Sequence, residues 1–233
     1  NRNIIIHCHV RSTGKIILKE AKKLGFRTIS HSHSVANGIG FKSKIKNHFQ
    51  SGIEKYADKR LACSTVAGEW LFGNASFDIL YNGIAVDRFC FSQENRTLVH
   101  TNYDLADKVV IGNVARFVPA KNHIFLIEVF HKLLKINNSF HLLLVGDGTL
   151  KSQIQHQIKV LDLVNNVTII DSNDDVHQLY SAMDVFVLPS LFEGLGMVLV
   201  EAQINGLKCV ATQSIPKEVD LGMGNIEFVE LDQ

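Results

Sequence analysis

The stretch from Met183 to Gly206, MDVFVLPSLFEGLGMVLVEAQING, constrains the fold more than any other part of the chain. Met183–Leu188 is a short apolar run of the kind that forms a buried parallel strand. Pro189 offers no ladder donor and, with Ser190, ends that strand. Gly194 and Gly196 let the backbone approach a ligand closely, Leu195 lies between them, and Met197–Asn205 reads as a helix closed by Gly206. A strand, a glycine loop and a helix N-terminus together present backbone N–H groups and a positive dipole end to an anion. Two carboxylates bracket this loop, Glu193 before it and Glu201 about a turn into the helix. Beside a phosphate they are poorly placed electrostatically, but they suit acceptance of hydrogen bonds from sugar hydroxyls.

Around this segment, strands alternate with helices. Asn3–Cys8, Arg27–Ser30, Lys59–Cys63 and Phe77–Leu80 read as strands, with Ser12 and Ser64 as helix caps and Gly25 and Gly73 as helix ends. Between them fall a polar loop, His31–Gly40 (HSHSVANGIG), and a basic helix, Lys42–Ala57. Val86–Asp107 loses periodicity and gains polar residues, which suggests a connection between domains. A second alternation follows, with strands at Val109–Val114, Phe140–Val145, Val167–Ile170, Val185–Leu188 and Lys208–Ala211. Its helices run from an Asn122 cap to about Ile136, over Thr149–Leu161 and over Asp175–Ala182. Repeated β-α-β units imply parallel, doubly wound sheets with ligands at the strand C-termini. The reading is therefore α/β, with a partial Rossmann-like domain over 1–85, a connection over 86–107 and a second Rossmann-like domain over 108–233.

With 233 residues, 46% apolar content and 20% charge, the chain has ample material for a core. A net charge of +1 argues against a nucleic-acid binder. No apolar run approaches the roughly 20 residues of a membrane span, and no signal-peptide pattern opens the chain. Cys8, Cys63, Cys90 and Cys209 form no C-x-x-C pair and read as reduced, mostly buried cytoplasmic thiols. The chain starts on Asn1 at the edge of a strand and stops soon after a turn, so truncation at both ends is expected.

Chemistry-bearing residues fall on the loops after strands. Arg116 and Lys121, in ARFVPAKNH, suit a diphosphate, the Arg as a fork and the Lys as a point charge. Solvated loop cations are the alternative, weighed down by the convergence of this loop, the next and the glycine loop on one sheet edge. Gly146-Asp147-Gly148 follows a strand as many strand-to-helix turns do. Asp174 and Asp175 are adjacent rather than alternate, so one of them is expected to cap the following helix instead of holding a metal. His7, His9, His31 and His33 stand in H-x-H pairs at two strand ends, so each pair shares a side. That spacing suits a metal, but neither a cysteine nor a carboxylate accompanies it, and hydrogen-bonded loop histidines are the plainer reading. Lys42, Lys44, Lys46 and Lys55 alternate with Ile45, Phe49 and Ile53, which is usually a solvated face over a core stripe; contact with an anionic membrane surface is the other option.

The spacing Glu193-x7-Glu201 with its FEGLG context resembles the signature of the family 4 retaining glycosyltransferases of GT-B architecture. So do Arg116-Phe117 followed by Lys121-Asn122, the turn at Gly146 and Gly148, and the SHS loop. RLACS…AGEWLFG…LYNGI follows the family's capsular and exopolysaccharide branch in order and spacing. The resemblance implies two Rossmann-like domains facing a cleft, the first incomplete. It implies that Arg116 and Lys121 neutralise the donor diphosphate, that Gly146, Gly148, Val176, Gly194, Leu195 and Gly196 line the donor site, and that Glu201 holds the ribose and Glu193 the donor sugar. His33 would face a donor hydroxyl, with His9 a further candidate for that role. The loop Asp171–Val176 resembles the base-contacting loop, departing from the family's glycine at Asp171.

The function so implied is transfer of a hexose from a nucleotide diphosphate sugar, UDP-sugar favoured, to a surface-polysaccharide or lipid-linked acceptor with retention. No metal and no cofactor are expected for donor binding, no protein nucleophile is named, and the setting would be cytoplasmic, at most peripheral to the inner face of a membrane. A nucleotide-sugar-binding fragment without turnover and a nucleotide-sugar epimerase are the alternatives.

Overall fold

A computed structural model describes residues 4–11, 13–35, 51–171 and 175–231. The chain divides into two compact units, Asn1–Gly83 with Phe192–Leu195, and Ile84–Leu191 with Gly196–Gln233. Each is a parallel-sheet α/β unit.

The first unit holds β1 (Ile5–Cys8), α1 (Gly14–Lys23), β2 (Arg27–Ser32), β3 (Lys59–Ala62), α2 (Thr65–Phe72) and β4 (Asp78–Ile79). Its strands run in the order β1-β2-β3-β4, all parallel. α1 buries Ala21 and packs Leu18 into a cluster with Cys8, Ile53, Ala57, Leu71 and Phe72, while Ile16, Ile17 and Leu24 of its apolar face stay exposed. Ser64 caps α2 as expected, its hydroxyl accepting from the Ala67 amide at 3.2 Å. The Ser12 cap lies outside the described residues, and so does most of the basic helix, including Lys42, Lys44 and Lys46. Its end, Ile53–Tyr56, is a short 3₁₀ turn.

The second unit begins with two helices where the sequence reading expected an irregular connection: α3 (Val86–Phe89) and α4 (Gln93–Tyr103). α4 has a capping serine, Ser92, whose hydroxyl accepts from Asn95 N at 3.2 Å. It buries only Val99, so its sequence carries little helical periodicity. Then come β5 (Val109–Val114), α5 (His123–Leu134), β6 (Phe140–Val145), α6 (Lys151–Val160), β7 (Val167–Ile170), α7 (Val176–Tyr180), β8 (Val185–Leu188), α8 (Met197–Ile204), β9 (Lys208–Thr212) and β10 (Ile226–Val229). β10, half-exposed and at the sheet edge, was not foreseen.

The six strands lie in the order β10-β9-β8-β5-β6-β7. The chain leaves β5 toward β6 and β7, then returns to the other side of β5 with β8. The two directions part between β5 and β8, which makes the C-terminal ends of those strands the topological switch point where such sheets bind ligands. The β5–β8 ladder is short, pairing Ile111 with Val185 and Gly112 with Phe186. Beyond it, buried Asn113 donates its amide to the Val187 carbonyl at 2.7 Å, so a side chain replaces a ladder bond. Phe117, Phe130, Leu142, Leu144 and Ile154 form the core between the sheet and α5 and α6.

Candidate nucleotide-sugar site

The loop after β5 starts with buried Ala115, exposed Arg116 and fully buried Phe117. The Phe117 ring stands edge-on to His123 at 4.8 Å, so Phe117 anchors the loop while its neighbour Arg116 stays in solvent. Pro119–Lys121 is a 3₁₀ turn. Asn122 holds the cap position of α5 through a left-handed backbone (φ 57°, ψ 38°), without the side-chain cap hydrogen bond expected of it. Leu191 N donates to Ala120 O at 2.8 Å, which ties the loop carrying Arg116 and Lys121 to the end of the loop leaving β8. Both loops thus meet at the switch point of the second unit.

Gly146 and Gly148 turn out to be required by the chain itself. A Cβ at Gly146 would lie 2.0 Å from Ala115 O, and one at Gly148 would lie 2.5 Å from Phe117 O. Two backbone bonds lock the loops together, Phe117 N to Asp147 O at 2.8 Å and Leu150 N to Phe117 O at 2.9 Å. The G-x-G turn therefore sets the position of the Arg116 loop. Lys151, which no sequence motif marks, reaches Asp171 and lies 3.9 Å from Asp147; the Asp171 contact raises its pKa above the ordinary value. The base-loop candidate Val176 opens α7, half-buried, after Asp175 at the cap position without a side-chain cap bond; Asp174 falls outside the described residues.

Gly196 starts α8 from a left-handed conformation (φ 91°, ψ 51°) that favours glycine. One turn in, Glu201 accepts a hydrogen bond from the Tyr180 hydroxyl at 2.5 Å on Oε2. Burial pushes the Glu201 carboxyl above its ordinary pKa, and the Tyr180 bond pulls the other way. Tyr180 is fully buried. Nothing in its sequence context marked it as the partner of Glu201, since α7 is too short to show a pattern.

In the first unit, Glu193 and buried Leu195 flank Gly194, whose carbonyl accepts from the Ser64 hydroxyl. A Cβ at Gly194 would come within 2.7 Å of His33 O and of Ser34 Cα, so glycine is needed there for the chain's own packing. The four H-x-H histidines form one stack at the C-terminal ends of β1 and β2. Ring centroids are 4.1 Å apart for His7–His9, 5.3 Å for His9–His31, 4.0 Å for His31–His33 and 4.9 Å for His9–His33. His33 accordingly has both ring nitrogens engaged, Nδ1 with Asn82 Oδ1 at 2.8 Å and Nε2 with His9 Nδ1 at 2.7 Å. Burial holds the pKa values of His7 and His33 below the ordinary value, and that of His31 down to about 4, with the neighbouring rings adding to the effect.

Two parallel α/β units, one with a switch-point cation loop and a glycine-led helix, make up an architecture of the GT-B kind. The chain matches the family of glycosyl transferases, group 1, over residues 99–220, and it belongs to that family. Putative glycosyltransferase EpsF of Bacillus subtilis (strain 168) is 33% identical over 238 residues, covering 98% of this chain and 62% of the relative. UDP-Gal:alpha-D-GlcNAc-diphosphoundecaprenol alpha-1,3-galactosyltransferase of Escherichia coli is 25% identical over 224 residues, covering 89% of this chain and 57% of that protein. The crystal structure of Anabaena HepE in complex with UDP and glucose superposes with a TM-score of 0.80 at 21% identity, covering 97% of this chain and 64% of that one. The fold is thus that of GT-B glycosyltransferases, and the chain spans about three fifths of the length of these proteins. Among the described residues, no helix is long and apolar enough to cross a membrane.

Proposed function

We propose that the chain moves a hexose from a nucleotide diphosphate sugar to a surface-polysaccharide or lipid-linked acceptor, with retention of anomeric configuration. The observation that carries this reading is the switch point of the second sheet, where the loop bearing Arg116 and Lys121 is bonded to the loop that leads toward α8. Arg116 and Lys121 neutralise charge that builds on the departing diphosphate, and the amides around Gly194–Gly196 add donors there. Glu201 accepts from the ribose hydroxyls. Glu193 holds the donor sugar, and the His33–His9 pair meets a donor hydroxyl near the anomeric carbon through the His9 nitrogen that His33 leaves free. UDP is the favoured nucleotide because HepE was crystallised with it and the Escherichia coli relative is named for UDP-Gal. That relative's name also specifies a diphosphoundecaprenol acceptor, which supports a lipid-linked acceptor here.

The deciding experiment is calorimetric titration with UDP, GDP and ADP, with Lys121→Ala in parallel. Micromolar binding of one nucleotide that is lost in the variant supports the reading. Absence of binding by the folded chain overturns it. Turnover of the matching nucleotide sugars, followed by NMR of the product's anomeric proton, then tests transfer and retention. Binding with no turnover would leave a nucleotide-sugar-binding chain.

A further inference from the structure

The stack of histidines in the first unit has a hydrogen-bonding order that fixes where its lone pairs are. The Asn82 side-chain oxygen can only accept, so His33 Nδ1 carries the proton toward it. A neutral His33 then has a bare Nε2, which accepts from His9 Nδ1. His9, donating through Nδ1, is left with an unprotonated Nε2. A second chain of reasoning reaches His31. Its Nε2 lies 3.2 Å from the Leu80 carbonyl, which also only accepts, so Nε2 carries the proton. Nδ1 of His31 is therefore bare, and it is buried with no hydrogen-bond partner in the fold. A buried bare imidazole nitrogen without a partner is costly unless something binds there.

The third ring is His7, two residues before His9 on the same side of β1. The β1–β2 register, which sets His7 beside Ile29 and Cys8 beside Ser30, carries on to bring His9 next to His31. One ring nitrogen from each of His7, His9 and His31 lies within 4.8 Å of the others. Nitrogens around a tetrahedral zinc are roughly 3.3 Å apart, given bonds of about 2.0–2.1 Å, so the three rings draw together by up to about 1.5 Å to share an ion.

We propose that His7, His9 and His31 form a tridentate site for a borderline transition-metal cation of the Zn²⁺ class, with a fourth position open to water or a ligand. The donor set is imidazole alone, which suits Zn²⁺, Co²⁺, Ni²⁺ or Cu²⁺ and not the oxygen-seeking Mg²⁺ or Ca²⁺. The outer shell is already in place: Leu80 O orients His31, and His33 with Asn82 orients His9, as partners of metal-bound histidines do. The site lies entirely within the first unit and does not depend on the nucleotide reading of the second. Occupancy clamps the C-terminal ends of β1 and β2 to each other and takes the His9 lone pair away from any sugar hydroxyl.

The test is a titration of the tag-free full chain with Co²⁺, following the visible absorption of a tetrahedral centre, then displacement by Zn²⁺. Cys90→Ser and His156→Gln serve as controls, because Cys90 is an exposed thiol and His156 an exposed histidine far along the chain. The expected result is one equivalent of Zn²⁺ bound, weakened about 10-fold or more in His7→Gln and unchanged in both controls. His7 is exposed, so that variant is expected to keep the fold, and both it and His31→Gln, at a buried position, are read where circular dichroism matches the parent. Failure to bind one equivalent at about 100 μM metal, or parent-like binding by His7→Gln, overturns the proposal while leaving nucleotide binding as the separate test of function.

Discussion

The Tyr180 hydroxyl donates to Glu201 Oε2 at 2.5 Å, from a fully buried ring to a carboxyl whose pKa burial has raised. The fold therefore holds a proton on Glu201 to higher pH than the unfolded chain does. Stability from this group is complete below the unfolded pKa and is lost as pH rises through the folded one. Glu201→Gln keeps an acceptor for Tyr180 and removes the charge. It is expected to unfold at a higher temperature than the parent at pH 8, with the difference shrinking at pH 4.5. Nucleotide affinity should fall about 10-fold, since an amide accepts less well from ribose hydroxyls. Thermal melts at both pH values and a UDP titration measure the two effects; equal affinity would remove Glu201 from the site.

Arg116 is exposed on a loop whose backbone is fixed by Phe117 and the Gly146–Gly148 turn. Arg116→Lys keeps the charge and loses the planar fork. UDP binding is expected to weaken about 5- to 20-fold while UMP binding changes little, because the fork matches two diphosphate oxygens. Parallel titrations with UDP and UMP check this, and an equal loss for both would refute a diphosphate contact.

Gly146→Ala places a methyl group 2.0 Å from Ala115 O, against backbone that cannot swing away. A loss of about 2–4 kcal/mol in urea unfolding is expected. Gly206→Ala meets nothing within 4 Å but sits at φ 89°, and should cost only about 1 kcal/mol. Similar losses at the two positions would show that the loop after β6 yields.

His123 is buried against Phe117 with neither ring nitrogen hydrogen-bonded, and burial with the nearby Lys121 charge pulls its pKa down to about 4. Unfolded, it titrates near its ordinary value. From about pH 6.5 down to about 4 the unfolded chain holds a proton that the fold does not, so stability falls by about 1.4 kcal/mol per pH unit from this residue alone. His123→Leu is expected to flatten that slope, measured as urea midpoints between pH 7 and pH 4.5. An unchanged slope would mean the ring is solvated in the fold.

What the sequence determined is what local chemistry dictates. Apolar runs such as Val109–Val114 and Phe140–Val145 had to be buried strands, Ser64 had to cap, and Gly206 had to end its helix, because each effect acts within a few residues. Arg116, Lys121, Glu193 and Glu201 stood out because charge at strand ends is informative without any knowledge of strand order. Where the pattern was weak the reading failed: polar α4 buries one residue, and β10 is a half-exposed edge. Tertiary structure alone decided the order β10-β9-β8-β5-β6-β7, and with it the neighbours of the switch point. It also decided long-range pairs that no local pattern encodes, namely Tyr180 with Glu201, Asn113 with Val187, and the joining of two H-x-H pairs into one stack. Each of those depends on strand register or on how two helices seat on the sheet, which core packing summed over the whole unit fixes and the residues brought together do not.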